Sequence, residues 1–220
     1  MNQDLKKEKS AKEAFKLIEP DLKKDTIIGI GTGSTTNFFI EELNKARIQI
    51  KGVVCSSNAS EELINKSYDI FSLNEVHGID FYVDGADEYN DRKELIKGGG
   101  GALTREKILA YSSEKFICIV DETKHTDLLG KFPLPIEVIE VARSAISREL
   151  MKMGGKPIFR NGFITDNGNQ IIDIHNLPIE IPYELEAVIN NIPGVVENGI
   201  FANRKADTII CSSDDKVYLI

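Results

Sequence analysis

The sequence predicts an α/β protein in which a Rossmann-like parallel sheet carries an inserted ferredoxin-like α+β domain. Over residues 1–130, short apolar, β-branched runs alternate with helical stretches, as they do in parallel sheets. After Lys131 the order changes to strand, helix, strands, helix, strand, which is the order of a ferredoxin-like unit. We therefore expect one α/β domain formed by residues 1–130 and 206–220, and a small α+β domain formed by residues 131–205.

The elements of the larger domain follow from the spacing of apolar residues. Helical spacing predicts an amphipathic helix over residues 4–19. Short apolar runs predict strands at residues 26–30, 52–55, 79–83 and 116–120. Helices are predicted at residues 36–46 and 59–66, between the first three strands. The last two runs, 208–211 and 217–220, are predicted to return to the same sheet, which makes the small domain an insertion.

The small domain is predicted from shorter signals. Its expected strands lie at residues 136–139, 156–159, 163–165, 170–174 and 195–201. Apolar stripes with helical spacing lie at residues 142–153 and 185–192. Asn167-Gly168 is a dipeptide typical of tight hairpins, so we predict a turn there between the third and fourth strands.

Charge and composition narrow the class of function. The chain has a formal net charge of -8, which argues against binding to nucleic acid or to a membrane surface, because both require clustered positive charge. Its 3 cysteines lie in separate apolar runs without CxxC spacing, which is typical of reduced core residues. The charged first residues and the absence of any long apolar stretch predict a cytoplasmic protein without a membrane segment. Small-molecule chemistry is the favoured function.

The first chemical motif is GIGTGST at residues 29–35, between a predicted strand and a predicted helix. Free backbone N–H groups and the helix dipole favour an anion at such a junction. A dinucleotide fingerprint does not fit, because no third glycine stands at the required spacing and no acid follows the second strand. The alternative interpretation is a tight turn that needs glycine only for its backbone angles.

The second motif is DGADE at residues 84–88, directly after an apolar strand. Open α/β sheets bind ligands at this end of their strands. Carboxylates that lie this close together can have raised pKa values, which suits proton transfer or the binding of hydroxyl groups. A solvated acidic turn and a divalent-metal site are the alternatives.

The third motif is KGGGGALTREK at residues 97–107, in which four consecutive glycines precede a predicted helix. Glycine runs carry an entropic cost, so their presence indicates a close approach of the backbone to a ligand. Lys97, the loop amides and Glu106 could converge on one substrate. The alternative is that the triplet Arg105-Glu106-Lys107 is ordinary surface charge on a helix.

The three motifs together, in this order, resemble the signature blocks of the ribose-5-phosphate isomerase A family, and DETK at residues 121–124 resembles a fourth block. The resemblance extends over nearly the whole chain. It implies an aldose-ketose isomerase of the non-oxidative pentose phosphate pathway that interconverts D-ribose 5-phosphate and D-ribulose 5-phosphate through an enediolate. It also implies that the enzyme needs no cofactor and no metal, and that it is a homo-oligomer, either a dimer or a tetramer.

The resemblance also implies roles for individual residues. Glu106 matches the catalytic base, and Lys97 would stabilise the developing oxyanion together with the loop amides. Asp84 and Asp87 would hold hydroxyl groups and assist ring opening. The substrate-binding residues implied by the matching motifs are Thr32, Gly33, Ser34, Thr35, Asp84, Gly85, Ala86, Asp87, Lys97, Gly98, Gly99, Gly100 and Lys124. In some members of the family an N-terminal lysine also approaches the phosphate, and Lys6 and Lys7 are the two candidates for that position.

Other functions stay open at this point. A phosphogluconolactonase or an amino-sugar phosphate deaminase would use the same type of fold. A sugar-responsive transcription regulator uses it as an effector sensor, but that function needs a DNA-binding domain. Residues 1–25 offer one helix and no helix-turn-helix, and the acidic charge opposes DNA binding.

Overall fold

The structure is a computed structural model that describes residues 2–64 and 67–220. It consists of two compact units. The first contains the described residues of Met1–Gly85 together with Arg105–Lys124 and Ala206–Ile220, and the second contains Ala86–Thr104 and His125–Lys205. The domain division predicted from the sequence, with boundaries after residues 130 and 205, stays a prediction.

The elements are numbered in chain order. The strands are β1 (Ile27–Ile30), β2 (Gly52–Cys55), β3 (Ile79–Asp84), β4 (Glu88–Tyr89), β5 (Leu95–Ile96), β6 (Ser113–Asp121), β7 (Leu134–Val138), β8 (Lys156–Phe159), β9 (Gln170–His175), β10 (Val195–Asn198), β11 (Ile200–Phe201), β12 (Thr208–Ser212) and β13 (Val217–Leu219). The α-helices are α1 (Gln3–Ile18), α2 (Ser34–Ala46), α3 (Asn58–Ile64), α4 (Leu103–Tyr111), α5 (Arg143–Lys152) and α6 (Pro182–Asn190). The third helix predicted from the sequence spans residues 59–66, and its last two residues, 65–66, lie outside the described residues.

The first unit is built on a sheet with the strand order β13-β12-β6-β3-β1-β2. Its neighbouring strands are parallel except for β12 and β13, which are antiparallel. Strands β1 and β2 are buried along their whole length, which explains why they appear in the sequence as unbroken apolar runs rather than alternating ones. The predicted return of the last two apolar runs to this sheet is confirmed.

Helix α1 covers this sheet with one apolar stripe. Its buried residues Ala11, Ala14, Phe15 and Ile18 belong to the main core, as the helical spacing predicts. The helix packs against α2 and β6.

The three cysteines are buried free thiols, and burial raises the pKa of Cys55 to about 12. Among residues 2–64 and 67–220, no helix has the length and apolar character needed to cross a bilayer.

The second unit contains the predicted ferredoxin-like fold. Its four-stranded sheet has the order β10-β7-β9-β8, and all neighbouring pairs are antiparallel. Helix α5 follows β7 in the chain and α6 follows β9, so the element order is βαββαβ. A separate three-stranded sheet has the order β11-β5-β4. The predicted fold class, a Rossmann-like parallel sheet with an inserted α+β unit, is confirmed.

The structure differs from the prediction at two strands of the small domain. Residues 163–165 lie in a loop, and β8 pairs directly with β9 instead. The loop side chain of Thr165 donates a hydrogen bond to the fully buried Glu137 carboxylate, which holds the segment away from the sheet ladder. The predicted strand 195–201 divides at Gly199 into β10 and β11, which pair in different sheets. A Cβ at Gly199 would lie 2.2 Å from the carbonyl oxygen of Lys97, so the close approach of two backbones requires glycine there.

The parallel strands of the first unit end at one edge of the sheet. The residues that follow β1, β2, β3 and β6 therefore leave the sheet on the same side, where open α/β sheets bind their ligands. Thr32, Ser56, Asp84 and Glu122 all lie at this carboxyl edge. The edge is the candidate site of the first unit.

Candidate active site

The centre of the site in the first unit is the carboxylate of Asp84, at the end of β3. This side chain is fully buried. Its Oδ1 accepts hydrogen bonds from the Thr32 N–H at 3.0 Å, the Gly85 N–H at 2.7 Å and the Thr36 hydroxyl at 3.2 Å. Its Oδ2 accepts a hydrogen bond from the Tyr82 hydroxyl. Hydrogen bonds to the charged form of a buried carboxylate stabilise that form and fix its orientation.

Gly31 makes room for this carboxylate. A Cβ at position 31 would lie 1.9 Å from Cγ of Asp84 and 2.0 Å from its Oδ1. The Gly31 N–H donates to the Val83 carbonyl at 3.0 Å, and the Ser60 hydroxyl donates to the Gly31 carbonyl at 2.6 Å. The second glycine of the first motif is therefore required by steric contact, and its backbone is held on both sides.

Tyr82 is hydrogen-bonded to Asp84, and the charge of Glu106 also acts on it. The two residues Tyr82 and Asp84 are separated by two positions, so their side chains lie on the same face of β3. Burial raises the pKa of Tyr82 well above its usual value, and the charges of Asp84 and then Glu106 raise it further. Glu106, on α4, is itself only 4% exposed. Two predicted carboxylates of the first unit therefore act on one buried phenol, Asp84 through a hydrogen bond and Glu106 through its charge.

The first motif forms the junction between β1 and α2. Gly33 has a φ of 119°, a conformation that favours glycine, and it precedes the first residue of the helix. The Thr32 hydroxyl makes hydrogen bonds with Ser56 Oγ at 2.7 Å and Ser57 Oγ at 2.8 Å. Ser34 is exposed and Thr35 is half-buried at the first turn of α2, whose N–H groups and dipole favour an anion.

Two lysines of the first unit lie at the carboxyl edge. Lys124 is half-buried on a single 3-10 turn, Glu122–Lys124, that follows β6. Lys6 is buried, and its Nζ contacts Glu122 Oε1 at 2.6 Å and Asp214 Oδ1 at 2.9 Å. These carboxylates raise the pKa of Lys6 above its usual value. Lys7 pairs with Asp4 at 3.3 Å on the same helix.

In the second unit, Asp87 and the glycine loop, residues 98–101, lie together. Asp87 Oδ2 accepts a hydrogen bond from the Gly99 N–H at 2.8 Å. A Cβ at Gly99 would lie 2.7 Å from Asp87 Oδ1, so the loop approaches this carboxylate too closely for any side chain. Gly98 and Gly101 have φ angles of 105° and 86°, and the Gly101 N–H donates to the Gly98 carbonyl at 2.9 Å. The glycine loop is therefore a tight turn with two positions that favour glycine.

Lys97 precedes this turn and is only 2% exposed. Its N–H donates to the Gly199 carbonyl at 2.9 Å, and its Nζ lies 5.7 Å from the centroid of the Phe201 ring. A cation over an aromatic face is attracted by the ring quadrupole. The Lys97 ammonium group therefore lies near an aromatic ring of strand β11 in its own unit.

Each unit therefore brings some predicted site residues together. Asp84 contacts Thr32 and Gly85 in the first unit, and Asp87 contacts Gly99 in the second. Ala86 and Gly100 lie in the same two motifs. Tyr82, Ser56 and Ser57 contact predicted site residues but were not predicted themselves. Their positions in the sequence could have indicated them. Tyr82 shares a strand face with Asp84, and the two serines directly follow the parallel strand β2.

Comparison with known proteins gives one consistent result. The family model of ribose 5-phosphate isomerase A (phosphoriboisomerase A) matches residues 51–216. Ribose-5-phosphate isomerase A of Mannheimia succiniciproducens is 52% identical over 222 residues, and the match covers 100% of both chains.

Solved structures agree with this result. The crystal structure of ribose 5 phosphate isomerase A from Neisseria gonorrhoeae is 49% identical with a TM-score of 0.95, and the match covers 100% of this chain and 97% of that one. A D-ribose-5-phosphate isomerase in complex with phospho-erythronic acid is 43% identical with a TM-score of 0.93, over 100% of this chain and 99% of that one. The fold, the site motifs and these relatives all lead to one conclusion, that the chain belongs to the ribose-5-phosphate isomerase A family.

Proposed function

We propose that the chain is an aldose-ketose isomerase that interconverts D-ribose 5-phosphate and D-ribulose 5-phosphate. The observation that carries this proposal is the buried side chain of Glu106, which follows the glycine loop in the chain and whose charge acts on the buried Tyr82. Moving a carbonyl from C1 to C2 requires one base that takes a proton from one carbon and returns it to the next. A buried carboxylate at the family's base position suits this task.

Glu106 performs the carbon proton transfer. Starting from the open-chain aldose, its carboxylate removes the proton from C2, and the electron pair of that bond forms the C1–C2 double bond of an enediolate. The protonated Glu106 then delivers a proton to C1, and the hydroxyl proton moves from O2 to O1, which leaves the ketose. No electron leaves the substrate, so no redox cofactor takes part.

Lys97 and the backbone amides of the glycine loop stabilise the negative charge of the enediolate. Fixed donors directed at developing charge are among the largest contributions to catalysis, because they need no reorganisation during the reaction. The turn geometry of residues 98–101 holds these amides in place before substrate arrives. A cation and oriented N–H groups supply the stabilisation that a metal ion supplies in other isomerases, so we propose a metal-free reaction.

Asp84 and Asp87 bind substrate hydroxyl groups and assist ring opening. Asp84 is suited to this role because four donors, from Thr32, Thr36, Gly85 and Tyr82, fix the orientation of its carboxyl group. Asp87 is held by the Gly99 N–H. Gly85 and Ala86 lie between the two acids in the chain and are proposed to bind the substrate with them.

The phosphate is bound by residues Thr32 to Thr35 at the start of α2, with Lys124 as the cationic partner. Helix N-termini bind phosphate through free N–H groups and the helix dipole. Lys6 is engaged by Glu122 and Asp214, which supports Lys124 over Lys6 as the principal phosphate lysine.

The wider setting follows from the same family membership. We propose that the enzyme acts in the cytoplasm, in the non-oxidative pentose phosphate pathway, and that it is a homodimer or a larger homo-oligomer. Its partners are its substrates and copies of itself, with no nucleic acid and no membrane. We also propose the domain division predicted from the sequence, in which residues 131–205 form the small domain and residues 1–130 and 206–220 form the larger one.

The proposed function is tested by a coupled assay. Purified protein incubated with ribose 5-phosphate should form ribulose 5-phosphate, and the rate should be unchanged in EDTA. Absence of turnover under all conditions, or turnover of a phosphogluconolactone instead, contradicts the function. Activity that is lost in EDTA and restored by Mg²⁺ or Mn²⁺ contradicts the metal-free reaction alone.

Replacing Lys124 with alanine should weaken the binding of ribose 5-phosphate by about 1.5–3 kcal/mol, the range of a charge-assisted hydrogen bond. The measurement is the Michaelis constant from initial rates. Lys115→Ala is the matched control, because Lys115 lies near the opposite end of β6 and pairs with Asp21 at 3.8 Å. Equal Michaelis constants for the two variants would remove Lys124 from the phosphate site.

A further inference from the structure

Arg160 of the second unit donates hydrogen bonds on two sides of its guanidinium group. On one side its Nε donates to Asp173 Oδ2 at 2.8 Å, and its Nη2 donates to Asp173 Oδ1, which makes a bidentate pair. On the other side Nη1 donates to the Gly99 carbonyl at 3.1 Å, and Nη1 and Nη2 both donate to the Gly98 carbonyl at 3.4 Å. One planar guanidinium thus connects a strand of the small sheet to two successive carbonyls of the glycine loop.

These contacts determine the direction of two loop amides. The peptide bonds of the described residues are trans, so the carbonyl of one residue and the N–H of the next point in opposite directions. The Gly98 carbonyl faces Arg160, and the Gly99 N–H faces away and donates to Asp87. By the same rule the Gly99 carbonyl, held by Arg160, turns the Gly100 N–H away from the guanidinium. Gly100 itself is exposed.

The position of Arg160 is in turn fixed by the loop that it begins, residues 160–169. Glu137, on β7, is fully buried, and its carboxylate accepts hydrogen bonds from Thr165, Asn167 and Asn169 of this loop. Phe163 packs against the glycine loop so closely that a Cβ at Gly101 would lie 2.2 Å from its Cζ. A buried network therefore anchors the loop, and the loop supports the glycine turn through both an aromatic ring and a cation.

We propose that Arg160 is a positioning residue, which holds the carbonyls of Gly98 and Gly99 so that the Gly100 N–H is directed at the oxyanion of the reaction. The inference rests on the proposed function and deepens it. Asp173 neutralises the guanidinium, so the contribution of Arg160 is geometric: it fixes two peptide planes rather than adding a long-range positive charge. Without it, the turn keeps its Gly98–Gly101 hydrogen bond but both carbonyls lose their external donor.

The test measures catalysis and inhibitor binding in R160M and R160K. R160M should lower kcat about 10- to 100-fold, less than the loss on deleting an oxyanion donor outright, while KM changes by less than about threefold. Phospho-erythronic acid is the probe, because its carboxylate carries negative charge where the enediolate does. Its inhibition constant should rise by a factor similar to the fall in kcat. R160K should resemble R160M, because an ammonium cannot donate to two carbonyls and a carboxylate in one plane.

Arg143→Met is the matched control. Arg143 belongs to the same unit, stacks 4.1 Å from the Phe159 ring centroid and donates to Gln170 at 3.2 Å, so its loss removes comparable packing away from the glycine loop. R143M should keep the kcat of the unchanged protein. If R160M does not fold, D173N is measured in its place. This variant removes the carboxylate charge that holds the guanidinium, so it should also lower kcat.

The outcomes separate the inference from the proposed function. An unchanged protein that does not isomerise ribose 5-phosphate contradicts the proposed function itself. An active unchanged protein with R160M as active as R143M overturns the role of Arg160. If R160M weakens the binding of substrate and of phospho-erythronic acid equally, a general structural defect explains the effect and the role of Arg160 is overturned. Full kcat in R160K also overturns it, because a simple positive charge would then be sufficient.

Discussion

Replacing Glu106 with glutamine is expected to lower kcat by roughly 10²–10⁴ with only a modest change in KM. Glutamine keeps the size and polarity of the side chain but cannot accept the carbon-bound proton. Glu106 as a whole is only 4% exposed, so a water molecule has little access to replace it as the base. Initial rates with ribose 5-phosphate give both constants, and Glu114→Gln, an exposed glutamate near the start of β6, is the control.

The route of the proton can be followed in D₂O. Ribose 5-phosphate formed from ribulose 5-phosphate should carry deuterium at C2, at least in part, and this exchange should decrease together with kcat in Glu106→Gln. Partial incorporation is consistent with the mechanism, because a shielded carboxylate can return the same proton before solvent replaces it. Near-normal turnover in Glu106→Gln contradicts the role of this residue, and fast turnover without any deuterium at C2 favours a direct hydride shift.

Replacing Gly31 with alanine is expected to lower kcat/KM by about 10²-fold, the effect of displacing a catalytic group by about 1 Å. The new methyl group would lie 1.9 Å from Cγ of Asp84, so the carboxylate must move. The backbone of Gly31 cannot move instead, since hydrogen bonds to Val83 and from Ser60 hold it on both sides. The displaced Asp84 would lose the orientation that its four donors provide.

Gly78→Ala is the matched control for this variant. A Cβ at Gly78 has its nearest neighbour at 3.7 Å, the carbonyl oxygen of Ser112, which is an ordinary contact. This variant should keep its kcat/KM, and thermal unfolding of both variants will show whether Gly31→Ala is folded. A folded Gly31→Ala with unchanged kcat/KM would show that the position of Asp84 does not matter for the reaction.

Much of the fold could be predicted from the sequence because its signals are local. Parallel strands that are buried on both faces appear as unbroken apolar runs, and the motifs at residues 29–35 and 84–88 directly follow or complete such runs. Their position at the carboxyl edge then follows from parallel topology alone. The roles of the individual site residues stay predictions, but their placement on these elements did not need the structure.

The supporting residues could not be predicted in this way, because their contacts join distant parts of the chain. Arg160 meets the Gly98 carbonyl across 62 positions, and nothing near Arg160 in the sequence indicates this partner. Glu137 interrupts an apolar strand with a charge, and only the structure shows that polar side chains of the loop at 160–169 surround it. The same long-range network explains why residues 163–165 form no strand despite their apolar content.

The attachment of helix α1 has a consequence for the order of folding. The Ser212 hydroxyl donates to the Lys6 carbonyl, and these residues are 206 positions apart. During synthesis at about 5–20 residues per second, the helix must wait roughly 10–40 s for its partners on and after β12. Its apolar stripe, which packs in a core that includes Ile210, stays partly uncovered over this interval. The nascent first unit is therefore the part of the chain that most needs protection from aggregation, whereas the second unit has been synthesised completely before Ile210 appears.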